Sequence, residues 1–292
     1  MDLQLTDLPR TVRIVEVGPR DGLQNEQMIL PVEKRIEYVR LLGEAGLKDI
    51  EVGSFVHPKW IPQLADSEKL IARLPKLPGL RYSALVPNIK GLERALAAGI
   101  ERIAVFTAAS ETFNQKNINM SIAESLNVFR PVVERALHEG LSVRGYISTC
   151  FACPYEGAIA KDKVADVTDA LLKLGVDEVS IGDTIGAATP IDVENTVGHL
   201  LGRFAASKLA MHFHDTYGMA IANVFASLRM GISVFDSSAG GIGGCPYAPG
   251  AAGNVSTEKL VYLFDRLEID SGVSIEHLRA AARYINNELR AA

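Results

Sequence analysis

The chain has 292 residues, 48% of them hydrophobic and 22% charged, with 30 Lys+Arg against 35 Asp+Glu. A net charge of −5 with no basic block argues against nucleic acid as the main partner, and no apolar run approaches the ~20 residues that a membrane span needs. Three cysteines cannot build a disulfide framework, and the N-terminus lacks the layout of a signal or transit peptide, so a cytoplasmic protein handling small molecules is expected.

The first strand is expected from Arg13 to Val17, running into Gly18-Pro19-Arg20-Asp21-Gly22. After a helix-period stretch at 32–45 the chain repeats one unit: a helical segment, a glycine, then a short β-branched run. Gly46, Gly99, Gly140, Gly175 and Gly231 all take this place. Each can adopt the left-handed conformation that ends a helix before the chain enters a strand. Pro78-Gly79 before RYSALV does a similar job with a different breaker. Further helices are expected at 123–139 and 163–174, a strand at 209–215, and a last amphipathic helix in the tail, 274–292. The runs DIEV, IAVF and VSI are mostly apolar rather than alternating, as in a parallel sheet covered by helices. Eight β-α alternations without a linker predict an α/β fold, a (β/α)8 TIM barrel with an extra C-terminal helix, as one domain over 1–292. An open doubly wound sheet is the alternative, but VEVGPRDGLQ lacks the spacing of its G-x-G-x-x-G turn.

In such a barrel the C-terminal ends of the strands meet at one rim, where sites are built. Here those ends are polar. The first leads to Arg20 and Asp21, the second carries Glu51, the sixth ends at Asp183, and the seventh holds His212 and His214. The eighth enters the glycine-rich stretch AGGIGGCPYAPGAAGN, with Cys245 and Asn254. His212-x-His214 puts two imidazoles on one face of a strand, because side chains alternate with period two. With Asp21 and an amide oxygen such as that of Asn254 they form an N/O set for a divalent cation. Carboxylate, amide and substrate oxygens suit Mg2+ or Mn2+. His57, His138, His199 and His277 read as ordinary loop and helix residues.

Cys150-x-x-Cys153 has the spacing of a redox or zinc motif but no second ligand pair, and it follows the fifth strand rather than opening a helix after the first. It reads as structural. Cys245 differs, because the glycines around it let the backbone approach a ligand and let the loop move.

VEVGPRDGLQNE, GSFVHPKWIPQLAD, ACPYEG, IGDTIG, HFHDTYG and GGCPYAPGAAGN, in this order over nearly the whole chain, resemble hydroxymethylglutaryl-CoA lyase. The resemblance implies cleavage of 3-hydroxy-3-methylglutaryl-CoA to acetyl-CoA and acetoacetate, chemistry of leucine degradation and ketone-body formation. It implies a divalent cation at Asp21, His212, His214 and Asn254. Arg20 matches the residue at the thioester carbonyl, Cys245 the catalytic thiol, and Glu51 and Asp183 active-site carboxylates. Lys116 and Asn117 in NQKNIN are placed on the CoA side, and a homodimer is expected. Gln27 departs from the lysine expected after QNE.

Breaking a C–C bond beside a tertiary alcohol requires deprotonating the hydroxyl, stabilising the leaving enolate and protonating it. Arg20 suits the thioester oxyanion, and the Cys245 thiol suits the final proton delivery. Two other enzyme readings share most of these motifs: a lyase for a longer 3-hydroxyglutaryl-CoA analogue, and a 2-oxo-acid condensing synthase or aldolase. Cys245 in its glycine setting favours a lyase over the synthase. A non-catalytic metal- or acyl-binding barrel has no evident use for this set of groups.

Overall fold

The structure is a computed structural model that describes residues 8–244 and 253–291. Within them a closed barrel is formed by β1 (Arg13–Glu16), β2 (Asp49–Ser54), β3 (Arg81–Leu85), β4 (Arg102–Ala108) and β5 (Ser142–Ser148), continued after a small hairpin. The hairpin is β6 (Ala152–Cys153) with β7 (Gly157–Ala158). β8 (Glu178–Asp183), β9 (Leu209–Phe213) and β10 (Val234–Ser237) complete the barrel, and β10 closes on β1 in parallel register from Arg13↔Val234 to Glu16↔Ser237. This is the (β/α)8 architecture expected from the sequence.

Around the barrel run α1 (Val32–Glu44), α2 (Ser67–Ile71), α3 (Ile89–Ala97), α4 (Glu111–Ile118), α5 (Ile122–His138), α6 (Lys161–Leu174), α7 (Pro190–Leu201), α8 (Ala220–Arg229) and α9 (Thr257–Arg266). The tail forms α10 (Ile275–Arg290), which packs against α1 and α9. Among the described residues no helix is long and apolar enough to cross a membrane. Gly46, Gly99, Gly140, Gly175 and Gly231 all have positive φ, from 78° to 104°. The helix-glycine-strand unit therefore works as the sequence implies. Two helix starts are fixed by reciprocal caps, Ser121 with Glu124 and Thr189 with Asp192.

Some local structure departs from the sequence reading. α2 is short, so Pro78-Gly79 turns an irregular segment rather than ending a helix. The Cys150-x-x-Cys153 motif leads into the β6–β7 hairpin. Both thiols are free and buried: Cys150 donates to Ile147 O at 3.1 Å, and Cys153 Sγ lies 3.0 Å from Ser110 Oγ.

Strand residues facing the helices are mostly apolar, while the barrel interior carries a set of paired charges. Arg102 on β4 pairs with Glu178 on β8 at 2.7 Å, and Arg144 on β5 pairs with Asp236 on β10 at 2.6 Å. Neither pair lies on adjacent strands, so both reach across the inside of the barrel. Arg13, paired with Glu178, and Asp49 join the lower layer. Burying such charges is tolerable because each is matched by an opposite charge. This polar column leads to the C-terminal mouth.

Candidate active site

The mouth is organised by the tight turn after β1. Val17 O accepts the backbone N–H groups of Arg20, Asp21 and Gly22 at 3.1, 2.7 and 3.2 Å, bringing Arg20 and Asp21 out side by side. Gly18 begins this turn because nothing larger fits: a Cβ there would stand 2.5 Å from both Glu16 Oε1 and Tyr38 Oη. Glu16 underlies it, fully buried, accepting from Gly18 N, Ala239 N and Thr257 Oγ1. Burial raises its carboxyl to about 7 against those hydrogen bonds.

Arg20 is 6% exposed. Its Nε donates to Glu51 Oε2 at 2.5 Å, its Nη1 donates to Asp21 Oδ1 at 2.6 Å, and its guanidinium lies over the Tyr146 ring at 5.2 Å. Burial opposes its charge, but Glu51 and Asp21 outweigh that and raise its pKa. Glu51 also accepts from Tyr146 Oη at 3.2 Å, while its Oε1 has no hydrogen-bond partner. Burial holds the Glu51 carboxyl above its ordinary value despite Arg20.

The second oxygen of Asp21 turns towards the imidazoles. His214 Nε2 lies 3.9 Å and His212 Nε2 4.0 Å from Asp21 Oδ2. Burial pushes Asp21 up, but Arg20 and then the two histidines hold it well below the usual carboxylate range. Burial lowers the His214 pKa against the pull of Asp21. The two separations are too long for hydrogen bonds. They fit donors sharing one ion, since ligands about 2.1 Å from a metal stand roughly 3–4 Å apart. Among the described residues, Asp21, His212 and His214 form the group of His, Cys and acidic residues whose donor atoms all lie within 4.8 Å of one another. Asn254 donates its Nδ2 to Asp21 Oδ2 at 3.0 Å, and its Oδ1 has no partner. This carbonyl oxygen needs a rotation of the amide to face the same point.

Asp183 closes β8 at the same end. Its two oxygens accept from Ala187 N and Ala188 N at 3.1 and 3.0 Å, shaping the following turn, and burial raises its carboxyl to about 6 against those bonds. Lys116 and Asn117 stand exposed on α4, with Lys116 Nζ 4.8 Å from the Tyr155 ring centroid on the hairpin. Gln27 is exposed. Cys245 lies outside the described residues. The segment after β10 passes Gly240, Gly241 and Gly243, all at positive φ, and Asn25 Nδ2 donates to Gly244 O at 2.6 Å.

The sequence reading missed Glu16, Arg144, Tyr146, Ser180 and Asp236. A signal was present for three of them: Arg144 and Tyr146 alternate on one face of β5, and Asp236 interrupts an apolar strand. Charges at these positions have nowhere to go but the barrel interior.

A closed (β/α)8 barrel with a buried arginine, carboxylates and paired imidazoles converging at its C-terminal mouth is the architecture of an enzyme. The sequence model of the HMGL-like family matches residues 11–285. Hydroxymethylglutaryl-CoA lyase YngG of Bacillus subtilis is 48% identical over 281 residues, 96% of this chain and 94% of that protein. The mitochondrial hydroxymethylglutaryl-CoA lyase of Bos taurus is 50% identical over 277 residues, 95% of this chain and 85% of that protein. The crystal structure of hydroxymethylglutaryl-CoA lyase from Pseudomonas aeruginosa superposes with a TM-score of 0.94 at 50% identity, covering 96% of this chain and 93% of that one. The chain belongs to the HMGL-like family and is a carbon–carbon lyase.

Proposed function

We propose that the protein cleaves 3-hydroxy-3-methylglutaryl-CoA to acetyl-CoA and acetoacetate, using a divalent cation, Mg2+ or Mn2+, held by Asp21, His212 and His214 with Asn254. The observation that carries the cation is the approach of two imidazole Nε2 atoms to one oxygen of Asp21 at 3.9–4.0 Å, with no hydrogen bond between them. An ion there supplies Lewis acidity that lowers the pKa of the substrate's tertiary hydroxyl. The chain's own groups do the rest. Asp21 or another base beside the ion takes the hydroxyl proton, and Glu51 or Asp183 orders the surroundings. The C–C electron pair passes to the acetyl-CoA enolate, whose charge gathers on the thioester oxygen. Arg20, fixed by Glu51 and Asp21, presents its guanidinium to that charge. Cys245 then gives its thiol proton to the enolate carbon.

Lys116 and Asn117 are assigned to the CoA side, where α4 and the hairpin meet. The proposal extends to a single unit over 1–292 that works as a homodimer, and the free thiols of Cys150 and Cys153 fit a reducing, cytoplasmic setting. A 2-oxo-acid synthase or aldolase finds no support among the relatives above. Incubating the protein with 3-hydroxy-3-methylglutaryl-CoA and analogues bearing longer C3 chains, with Mg2+ present, tests the assignment. Acetoacetate released fastest from the methyl compound is the expected result, and release only from a longer analogue overturns the substrate.

A further inference from the structure

The polar column beneath the mouth has one residue that touches both halves of the site. Arg144, 2% exposed at the centre of β5, donates from Nη2 to Asp236 Oδ1 at 2.6 Å and from Nη1 to Tyr146 Oη at 3.0 Å. Its Nε lies 2.9 Å from Glu178 Oε1 in the lower layer. From Asp236 one arm continues upward. Its Oδ2 accepts from Ser180 Oγ at 2.7 Å and meets His212 Nδ1 at 3.2 Å. From Tyr146 the other arm continues to Glu51 Oε2 at 3.2 Å, and from Glu51 to Arg20 at 2.5 Å.

We propose that Arg144 is a positioning residue for both arms, setting His212 through Asp236 and setting Arg20 through Tyr146 and Glu51. The chemistry of each link fixes its direction. Asp236 is ion-paired with Arg144 and accepts the Ser180 hydroxyl, so as a carboxylate it can only accept. His212 Nδ1 must therefore carry the proton, which leaves the lone pair on Nε2, the nitrogen that faces Asp21. In the other arm the Tyr146 hydroxyl accepts from Arg144 and is left with its one proton to give to Glu51. That bond occupies the same carboxylate oxygen that receives Arg20 Nε, so it fixes the plane in which the guanidinium lies. A lysine could not replace Arg144, because reaching both partners takes two separate donors at the fixed spacing of the guanidinium fork.

This inference rests on the cation reading of Asp21, His212 and His214, and the experiment separates the two. Nitrogen-15 NMR of histidine-labelled, chelator-treated parent protein reads the His212 tautomer without any substitution. Protonated Nδ1 and unprotonated Nε2 are expected, and the opposite tautomer overturns the Asp236 arm. Mn2+ affinity and acetoacetate release are then measured on variants. Asp236→Asn is expected to weaken Mn2+ binding roughly 10–100-fold. Tyr146→Phe should lower turnover with unchanged Mn2+ affinity, and Arg144→Met should do both. Parental Mn2+ affinity in Asp236→Asn, or parental turnover in Tyr146→Phe, overturns the corresponding arm. A His214→Ala protein that keeps parental Mn2+ affinity overturns the cation reading instead, and the tautomer still decides the Asp236 arm.

Discussion

Arg20 and Asp21, neighbours in the chain, are also ion-paired through their side chains at 2.6 Å, Nη1 to Oδ1. The pair divides the mouth. Asp21 keeps its other oxygen for the imidazoles, while Arg20 is held from its far edge by Glu51. Each charge stabilises the other in a place where burial alone would neutralise both.

Arg20→Lys keeps the charge but cannot span Glu51 and Asp21 with a planar fork. Turnover is expected to fall about a hundredfold, equivalent to ~3 kcal/mol of lost oxyanion stabilisation. KM should move much less, because the enolate charge exists only late in the reaction. Steady-state kinetics on acetoacetate release check this, and a rise in KM with unchanged kcat would assign Arg20 to ground-state anchoring.

Gly18→Ala is expected to damage both fold and site. The added methyl meets Glu16 Oε1 and Tyr38 Oη at 2.5 Å and Ser238 Oγ at 2.9 Å. Such overpacking costs about 1–3 kcal/mol, and the turn carrying Arg20 must shift to relieve it. Denaturant midpoints and turnover should drop together. A variant with parental values of both would show that the turn yields freely.

The buried Glu16 makes stability depend on pH. Its carboxyl titrates at about 7 in the fold against 4.5 when exposed, chiefly through burial. Between these values the folded state holds a proton that the unfolded chain has lost. Its contribution to stability is therefore complete below about 4.5 and is lost as pH rises through about 7. Glu16→Gln removes that dependence, so urea midpoints of variant and parent should diverge across about pH 5 to 7, with the variant losing less. Parallel curves would mean that Glu16 stays ionised in the fold.

Much of the fold was legible because local rules and the global fold agree. Gly46 to Gly231 mark helix ends that only a positive φ can make, and the apolar runs of β4 and β8 need helices over them. Asp21, His212 and His214 were legible too, because period two and the common rim of a barrel bring them together. Asp236 and Tyr146 left a signal as polar side chains on buried strands, but their pairing was not legible, because their partners come from strands distant in sequence and meet only across the interior. The short π-type turn at 18–22 escaped for another reason. It is set by Val17 O collecting three N–H groups around a proline that has none to give, which no periodicity reports.

Binding to the folded state alone raises stability by mass action. Chelator-stripped protein should gain about 2.7 kcal/mol when Mn2+ is added at a hundred times its dissociation constant. Thermal melts read the gain as a raised midpoint, which His214→Ala should lack. An equal rise in that variant would place the ion elsewhere.

The most direct measurement is acetoacetate released from 3-hydroxy-3-methylglutaryl-CoA by chelator-stripped protein as Mn2+ is restored, in the parent and in a His212→Ala, His214→Ala double variant. The parent is expected to regain activity along a saturable curve while the double variant, folded by circular dichroism, stays inactive at every concentration. Activity in the double variant matching the parent, or a parent that releases acetoacetate undiminished without the ion, would contradict the assignment of this cluster.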